Sequence, residues 1–382
     1  MNKLGFGFLR LPRLDPLDEN SIDFDLLCTM VDRFLEQGGR YFDTAYTYLG
    51  GASEEALKKA LVERYPRERY LIADKLPGFE VKTESDNQRF FEESLARCGV
   101  DYFDVYLLHG INEENYEIAQ KFDQFSFLTE LKASGKAKKI GFSFHDTAQL
   151  LDRILTEQPE VDYVQLQINY LDWNSVSVQS RECYETAVQH GKRVLVMEPV
   201  KGGALADIPE KASAYLRALR PDDSPARWAI RFASDPEAVD VVLSGMNSLE
   251  QIKDNMGDFE RLTQEEHAVL QQAARIICGN TAIACTGCGY CVHSCPGRIA
   301  IPQYFALFNE YKRNPAELWK SEIVCQSISK TAGTPADCVG CGQCEKRCPQ
   351  KLPVIQWLTE IEKTFFTATT VSKNESKTGK RW

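Results

Sequence analysis

Four short apolar runs end at Asp43, Lys75, His109 and Ser143, which stand 32, 34 and 34 positions apart. One strand, one helix and their loops consume a step of that length. Similar runs end at Gln167, Glu198 and Gly245. Between the runs lie amphipathic stretches such as SEEALKKALVER after Gly51, DNQRFFEESLARCG around Phe90 and SRECYETAVQHG around Tyr184. Strand and helix periods alternate, as βα units around a parallel sheet require. With a first strand near Gly5–Phe8, about eight strands fall within roughly 250 residues, the size of a (β/α)8 TIM barrel. The rival, a doubly wound sheet, opens with G-x-G-x-x-G after its first strand. Here Gly5-Phe6-Gly7 comes before or within that strand, and Arg10 stands where a third glycine belongs. The expected class is α/β, with a barrel over residues 1–275.

From residue 276 the character changes. Cysteine and glycine rise and strand periodicity stops. Ten of the 13 cysteines lie between Cys278 and Cys348. Helical stretches, IPQYFALFNEYKRNPAELWK and PVIQWLTEIEKTFF, follow the two cysteine runs. The expectation for 276–360 is a small, mainly helical, ferredoxin-like iron–sulfur domain. Residues 361–382 read as a polar, basic, mobile tail. Apart from the βα units and the cysteine runs, no internal repeat is evident.

The first cysteine run is Cys285-x2-Cys288-x2-Cys291-x3-Cys295-Pro296 and the second is Cys338-x2-Cys341-x2-Cys344-x3-Cys348-Pro349. Both carry the C-x2-C-x2-C-x3-C-P spacing of bacterial-type ferredoxins. Three closely spaced thiolates wrap one face of a cubane, and the glycines between them let the backbone turn tightly. In two-cluster ferredoxins the fourth cysteine serves the other cluster. One [4Fe-4S] cluster is therefore assigned to Cys285, Cys288, Cys291 and Cys348, the other to Cys338, Cys341, Cys344 and Cys295. Zinc is the competing reading, but its sites usually separate two C-x2-C knuckles. Cys28, Cys98, Cys183, Cys278 and Cys325 remain as ordinary thiols.

Clustered cysteines of this kind belong to a reducing compartment, here the cytoplasm. The start, MNKLGFGFLRLPRL, lacks the apolar core of a signal peptide, and no run of about 18 apolar residues could span a membrane. A net charge of −10 and a pI near 5.2 argue against nucleic acid as a partner.

Barrel chemistry sits at the C-terminal strand ends. Asp43, Lys75 and His109 end three successive runs, and Tyr48 follows Asp43 on the next loop, so all four should meet at one mouth. Asp43 would hold Lys75, and the Lys75 ammonium would lower the Tyr48 pKa. Tyr48 could then protonate a carbonyl oxygen as hydride arrives, with His109 polarising that carbonyl.

The sequence resembles the aldo-keto reductase superfamily. The resemblance rests on LGFGFLRLP, YFDTAYTYLGGASEEALKKAL, ADK at Lys75, LLHG at His109, IGFS at Ser143, VQLQINYLD from Val164 and LSGMNSLEQIKDN near Asn255. With the cluster region, it is similar to the branch carrying a ferredoxin-type domain. The resemblance implies that Asp43, Tyr48, Lys75 and His109 form the catalytic tetrad. It implies that Ser143 and Gln165 contact the nicotinamide carboxamide. Gly245, Met246, Asn247 and Ser248, with Asn255, would line the adenosine-phosphate end. The chain departs from the family at Phe144 and His145, where an Asn often follows the serine, and at Met197, where a Tyr commonly stacks on the nicotinamide. Gly245 and Gln251 replace basic residues that often grip the 2′-phosphate, which makes NADP(H) over NAD(H) a family default here.

Nicotinamide moves two electrons at once and a cubane one, so a pair-splitting device such as FMN comes into question. The leading expectation is an iron–sulfur oxidoreductase of the aldo-keto reductase type, interconverting an aldehyde or ketone and an alcohol with Tyr48 as acid/base. The clusters would either receive or deliver electrons, with a ferredoxin or another electron carrier as partner, or brace the C-terminal domain. The alternatives are a ferredoxin-linked flavin enzyme on the same barrel and a non-enzymatic electron-transfer or redox-sensing protein.

Overall fold

A computed structural model of the chain describes residues 3–15, 18, 21–175, 178–257, 260–313, 324–326 and 328–366. Eight strands are present: β1 (Leu4–Gly7), β2 (Tyr41–Asp43), β3 (Leu71–Leu76), β4 (Phe103–Ile111), β5 (Ala137–Phe144), β6 (Tyr163–Gln167), β7 (Arg193–Met197) and β8 (Val239–Gly245). Each pairs in parallel with its sequence neighbours, and β1 closes on β8 with Gly7 opposite Gly245. Parallel pairing demands a crossover between strands. Helices supply it, so every strand's C-terminal end emerges at one rim.

The outer layer follows from sequence periodicity. Asp23 caps the helix Phe24–Glu36 by accepting the Leu26 amide at 3.0 Å. Leu27, Met30, Val31, Phe34 and Leu35, at helical spacing, are buried against the sheet. Phe34 meets Phe6 and Phe42 with ring centres 5.6 and 5.3 Å apart. Each such fully buried side chain contributes about 1.5–3 kcal/mol. Inside the barrel, Tyr41, Ala73, Val105, Leu107, Leu195 and Leu243 pack together. Gly5 leaves room for them, because a Cβ there would lie 2.7 Å from Leu243 and 2.8 Å from Val241. The interior is filled, not a pore.

Strand limits differ slightly from the apolar runs. The first strand is Leu4–Gly7, one residue earlier than expected, and β4 continues past His109 to Ile111. Met197 ends β7, and Glu198 beyond it takes φ 54°.

The chain divides into two compact units. The larger comprises Met1–Lys201, Leu205–Asp207 and Leu216–Leu270; the smaller comprises Gly202–Ala204, Ile208–Tyr215 and the chain from Gln271 on. The division thus falls near residue 270, and two short pieces after β7 join the smaller unit. Gly202 shows why. It has φ +64°, and a Cβ there would stand 1.7 Å from the Thr286 carbonyl oxygen.

The smaller unit is built twice over. Gly287 and Gly340 share φ 67°, Gly289 and Gly342 have φ 81° and 72°, and Arg298 and Lys351 have φ 49° and 50°. Each member lies 53 positions from its counterpart. The repeat runs on into the helices Ile301–Arg313 and Val354–Phe365, where Ile301 matches Val354, Phe305 matches Leu358 and Phe308 matches Ile361. All six are buried in one core. This extends the repeat beyond the cysteine runs. Sequence comparison missed it because the core tolerates different side chains of similar volume. The expected tail is also corrected. Residues 361–365 belong to the helix Val354–Phe365, and Ile361 and Phe365 continue its buried stripe from Val354 and Leu358. Residues 367–382 lie outside the described residues. No helix of the described residues is long and apolar enough to cross a membrane.

Candidate active site and cluster sites

Side chains alternate faces along a strand. On β3 this turns Lys75 one way and Asp74 the other. Lys75 is fully buried, and its Nζ donates to Asp43 Oδ1 and to the Thr44 carbonyl, both at 2.7 Å. A buried ammonium requires such partners. The Thr44 loop is held in turn, since Thr44 Oγ1 and Ser53 Oγ lie 2.7 Å apart and Ser53 donates to the Phe8 carbonyl at 3.0 Å. A tight turn, Tyr48–Gly51, with Leu49 strained at φ 52°, then brings Tyr48 back to the rim.

Lys75 Nζ lies 4.7 Å from the centre of the Tyr48 ring, and the Tyr48 and His109 rings are 5.6 Å apart at 79°. Phe79 flanks His109 at 5.8 Å. Asp43, Tyr48, Lys75 and His109 are thus brought together, and all are buried. The expected lowering of the Tyr48 pKa is overturned. Burial pushes the phenol well above its ordinary value, and the Asp43, Asp74 and Glu198 carboxylates push the same way. Lys75 does not offset this, because Asp43 neutralises it at contact distance. Burial likewise raises the Asp43 carboxyl against the pull of Lys75. Burial, Lys75 and His145 hold His109 well below its ordinary value, so the imidazole is neutral. Thr47 Oγ1 stands 3.5 Å from His109 Nδ1.

Ser143 and Gln165 face each other in register across β5 and β6. Ser143 Oγ accepts the Gly110 amide at 2.8 Å, while Gln165 Oε1 is buried without a hydrogen-bond partner. Gly245 is exposed at the rim, Met246 is buried and Asn247 is exposed. Gln251 Oε1 accepts the Asn247 amide at 2.7 Å, and Ser248 caps the helix Leu249–Asn255. Asn255 donates to Ser244 Oγ at 3.1 Å. Met197 is half-buried.

Two buried polar groups escaped the sequence reading. Asp172 accepts Lys201 Nζ at 2.6 Å, and Gln167 and Asn169 at 2.7 Å each. Nothing in local spacing pairs Asp172 with Lys201, which is brought to it by β7. Behind Lys75, the Asp74, Glu54 and Cys98 ligand atoms lie within 4.8 Å of one another. Burial and the Glu54 charge push Asp74 well up. Its only sequence signal was two successive charges inside an apolar strand.

The cysteines fall into two groups. Burial and the neighbouring thiols of Cys288, Cys285 and Cys348 raise the Cys291 thiol. A cavity elsewhere in the unit is lined by Cys295, Cys338, Cys341 and Cys344 together with Ile299, Ile301, Ile355 and Leu358. Burial raises Cys344 to about 11 against the pull of the Glu345 amide, with Cys338 adding to the rise. The Gly287 amide points at Cys285 Sγ at 3.4 Å. Crowded thiols that disfavour ionisation become thiolates when a metal centre binds them. The donor set therefore fits two iron–sulfur clusters.

Comparison with known proteins agrees. Residues 3–275 match the family model described as "Aldo/keto reductase family", and residues 284–352 match "4Fe-4S dicluster domain". An aldo-keto reductase of Mycolicibacterium vanbaalenii is 30% identical over 242 residues, 62% of this chain and 79% of that one. The 9,11-endoperoxide prostaglandin H2 reductase of Trypanosoma cruzi is 26% identical over 239 residues, 61% of this chain and 77% of its own. Among solved structures, aldo-keto reductase AKR11C1 from Bacillus halodurans (holo form) aligns with TM-score 0.56 and 24% identity, covering 71% of this chain and 91% of that one. The aldo/keto reductase from Klebsiella pneumoniae in complex with NADP and acetate gives 0.55 and 22%, covering 71% and 90%. The chain belongs to the aldo/keto reductase family and carries a C-terminal 4Fe-4S dicluster domain.

Proposed function

We propose that this oxidoreductase reduces an aldehyde or ketone to an alcohol with NADPH, and runs the reverse reaction, with Tyr48 as the acid/base. The convergence of Tyr48, Asp43, Lys75 and His109 carries the reading. Tyr48 keeps its proton across neutral pH because burial and nearby carboxylates raise its pKa. It therefore has a proton to give when negative charge develops on the substrate oxygen. Lys75, with its Nζ 4.7 Å from the ring centre, holds the Tyr48 ring in position. Asp43 holds Lys75 in place, and neutral His109 donates a hydrogen bond to the carbonyl.

Ser143 and Gln165 would hold the nicotinamide carboxamide, and the unpartnered Gln165 Oε1 is an acceptor for its amide. Gly245, Met246, Asn247, Ser248, Gln251 and Asn255 would hold the adenosine end. The nicotinamide, when bound, would supply a hydride to the carbonyl carbon. Neighbours of the same fold holding NADP and NADPH support this choice. No observation favours FMN. Cys285, Cys288, Cys291 and Cys348 would hold one [4Fe-4S] cluster, and Cys338, Cys341, Cys344 and Cys295 the other. The clusters would supply one-electron transfer, with a ferredoxin or similar carrier as partner in a reducing cytoplasm, or would brace the domain. The convergent tetrad argues against a purely electron-carrying role.

Tyr48→Phe removes one oxygen and keeps the ring. NADPH-dependent aldehyde reduction should fall about 10²–10⁴-fold in kcat. Full activity in that variant would overturn the mechanism.

A further inference from the structure

The loop proposed above for the adenosine end is short of positive charge. From Gly245 to Asn255 the charged residues are Glu250, Lys253 and Asp254, which sum to −1. A phosphate monoester bound there needs a cation, because charge-assisted contacts carry phosphate recognition. Arg10 lies against this loop. It follows β1 by three residues, and Gly7 at the end of β1 pairs with Gly245. A Cβ built on Gly245 would stand 3.2 Å from Arg10 Cβ and 3.3 Å from both Cγ and Cδ. The aliphatic stem of Arg10 therefore runs over the place where a side chain at 245 would begin.

Gly245 is the last residue of a β-strand and is not among the glycines with positive φ. Backbone conformation does not call for glycine there, and the absence of a Cβ leaves the Arg10 stem uncrowded. A side chain at 245 would crowd the Arg10 stem, which would have to shift by a few tenths of an ångström.

We infer that Arg10 supplies the cation for the 2′-phosphate at the adenosine end and makes NADPH the preferred dinucleotide. Gly245 is the gap that lets Arg10 reach across from the β1 side. The inference rests on the nicotinamide reading of the barrel mouth and names the residue that selects the cofactor.

The test is anaerobic calorimetric titration of the full-length, cluster-loaded protein with NADP+ and with NAD+, which needs no carbonyl substrate. The quantity read is the ratio of the two dissociation constants. Arg10→Gln should cut the preference for NADP+ about tenfold or more. Arg10→Lys should keep a substantial part of it. The double variant Arg10→Ala with Gly245→Lys should restore preference, since a lysine then occupies the vacated space from the other side. A ratio within twofold of the unaltered protein in Arg10→Gln would overturn the inference. So would equal weakening of both dinucleotides, which would put Arg10 on the shared diphosphate. If the unaltered protein binds neither, the nicotinamide reading falls and this inference falls with it. If both bind but the ratio does not move, Arg10 alone is refuted.

Discussion

In the barrel, Lys75 is fully buried and its ammonium already meets Asp43 and the Thr44 carbonyl at 2.7 Å. In the cluster unit, Cys291 and Cys344 are buried beside other thiols, and burial raises both. The barrel brings Lys75 and Asp43 together and pairs them with each other. The cluster unit brings thiols together whose ionisation burial opposes. Strands paired in a closed ring hold the first arrangement. The second hangs on left-handed turns at Gly287, Gly289, Gly340 and Gly342 and on short helices such as Tyr290–His293 and Gln343–Arg347. A barrel can be preorganised by its own ladder, whereas a small domain draws folding energy from its metal.

The largest effect that could break this contrast is removal of iron. Structural metal sites supply on the order of 10 kcal/mol of folding energy. Anaerobic chelation should abolish hydrogen-exchange protection in the helices Ile301–Arg313 and Val354–Phe365 and leave β2 to β6 protected. Loss of protection in both regions alike would show that the barrel is not self-supporting.

A smaller effect tests the barrel's side. Lys75→Met strands the buried Asp43 carboxylate and should cost about 3–5 kcal/mol in urea unfolding. Adding Asp43→Asn should recover part of that loss. No recovery would mean that Lys75 acts mainly through packing.

The smallest concerns Glu266, an ion-paired carboxylate of the larger unit. Burial would raise it, but the Thr263 amide and the Arg231 and Arg220 guanidinium groups outweigh burial and hold it at about 2. Its folded pKa is depressed, so its stabilisation is complete above the unfolded carboxylate range and is lost as pH falls towards 2. Glu266→Gln should cost on the order of 2 kcal/mol at pH 7, and the gap between variant and unaltered protein should close by about pH 2. A gap independent of pH would point to a volume effect instead of charge.

Much of this was legible in the chain. The 32–34-residue rhythm announced the barrel because a βα unit has a nearly constant length. Asp43, Lys75 and His109 could be picked out because a polar residue closing an apolar strand is conspicuous, and Tyr48 because it follows Asp43 on the next loop. Other features had no local signal. Asp172 and Lys201 are separated by 29 positions and share no periodicity. The repeat in the cluster unit hides beneath unlike side chains, Phe308 against Ile361. The rise in the Tyr48 pKa was misread because a neighbouring ammonium was counted without its burial or its carboxylate partner.

The sequence by itself determined the alternation of strands and helices, the two cysteine runs and the identity of the polar residues at the strand ends. These depend on period and spacing, which are properties of the chain. Only the tertiary structure decided which charges cancel, which protons stay bound and which side chain fills the space left at Gly245. Those depend on burial and on distances between residues far apart in sequence, such as Arg10 and Gly245, and these distances exist only once β1 has closed on β8.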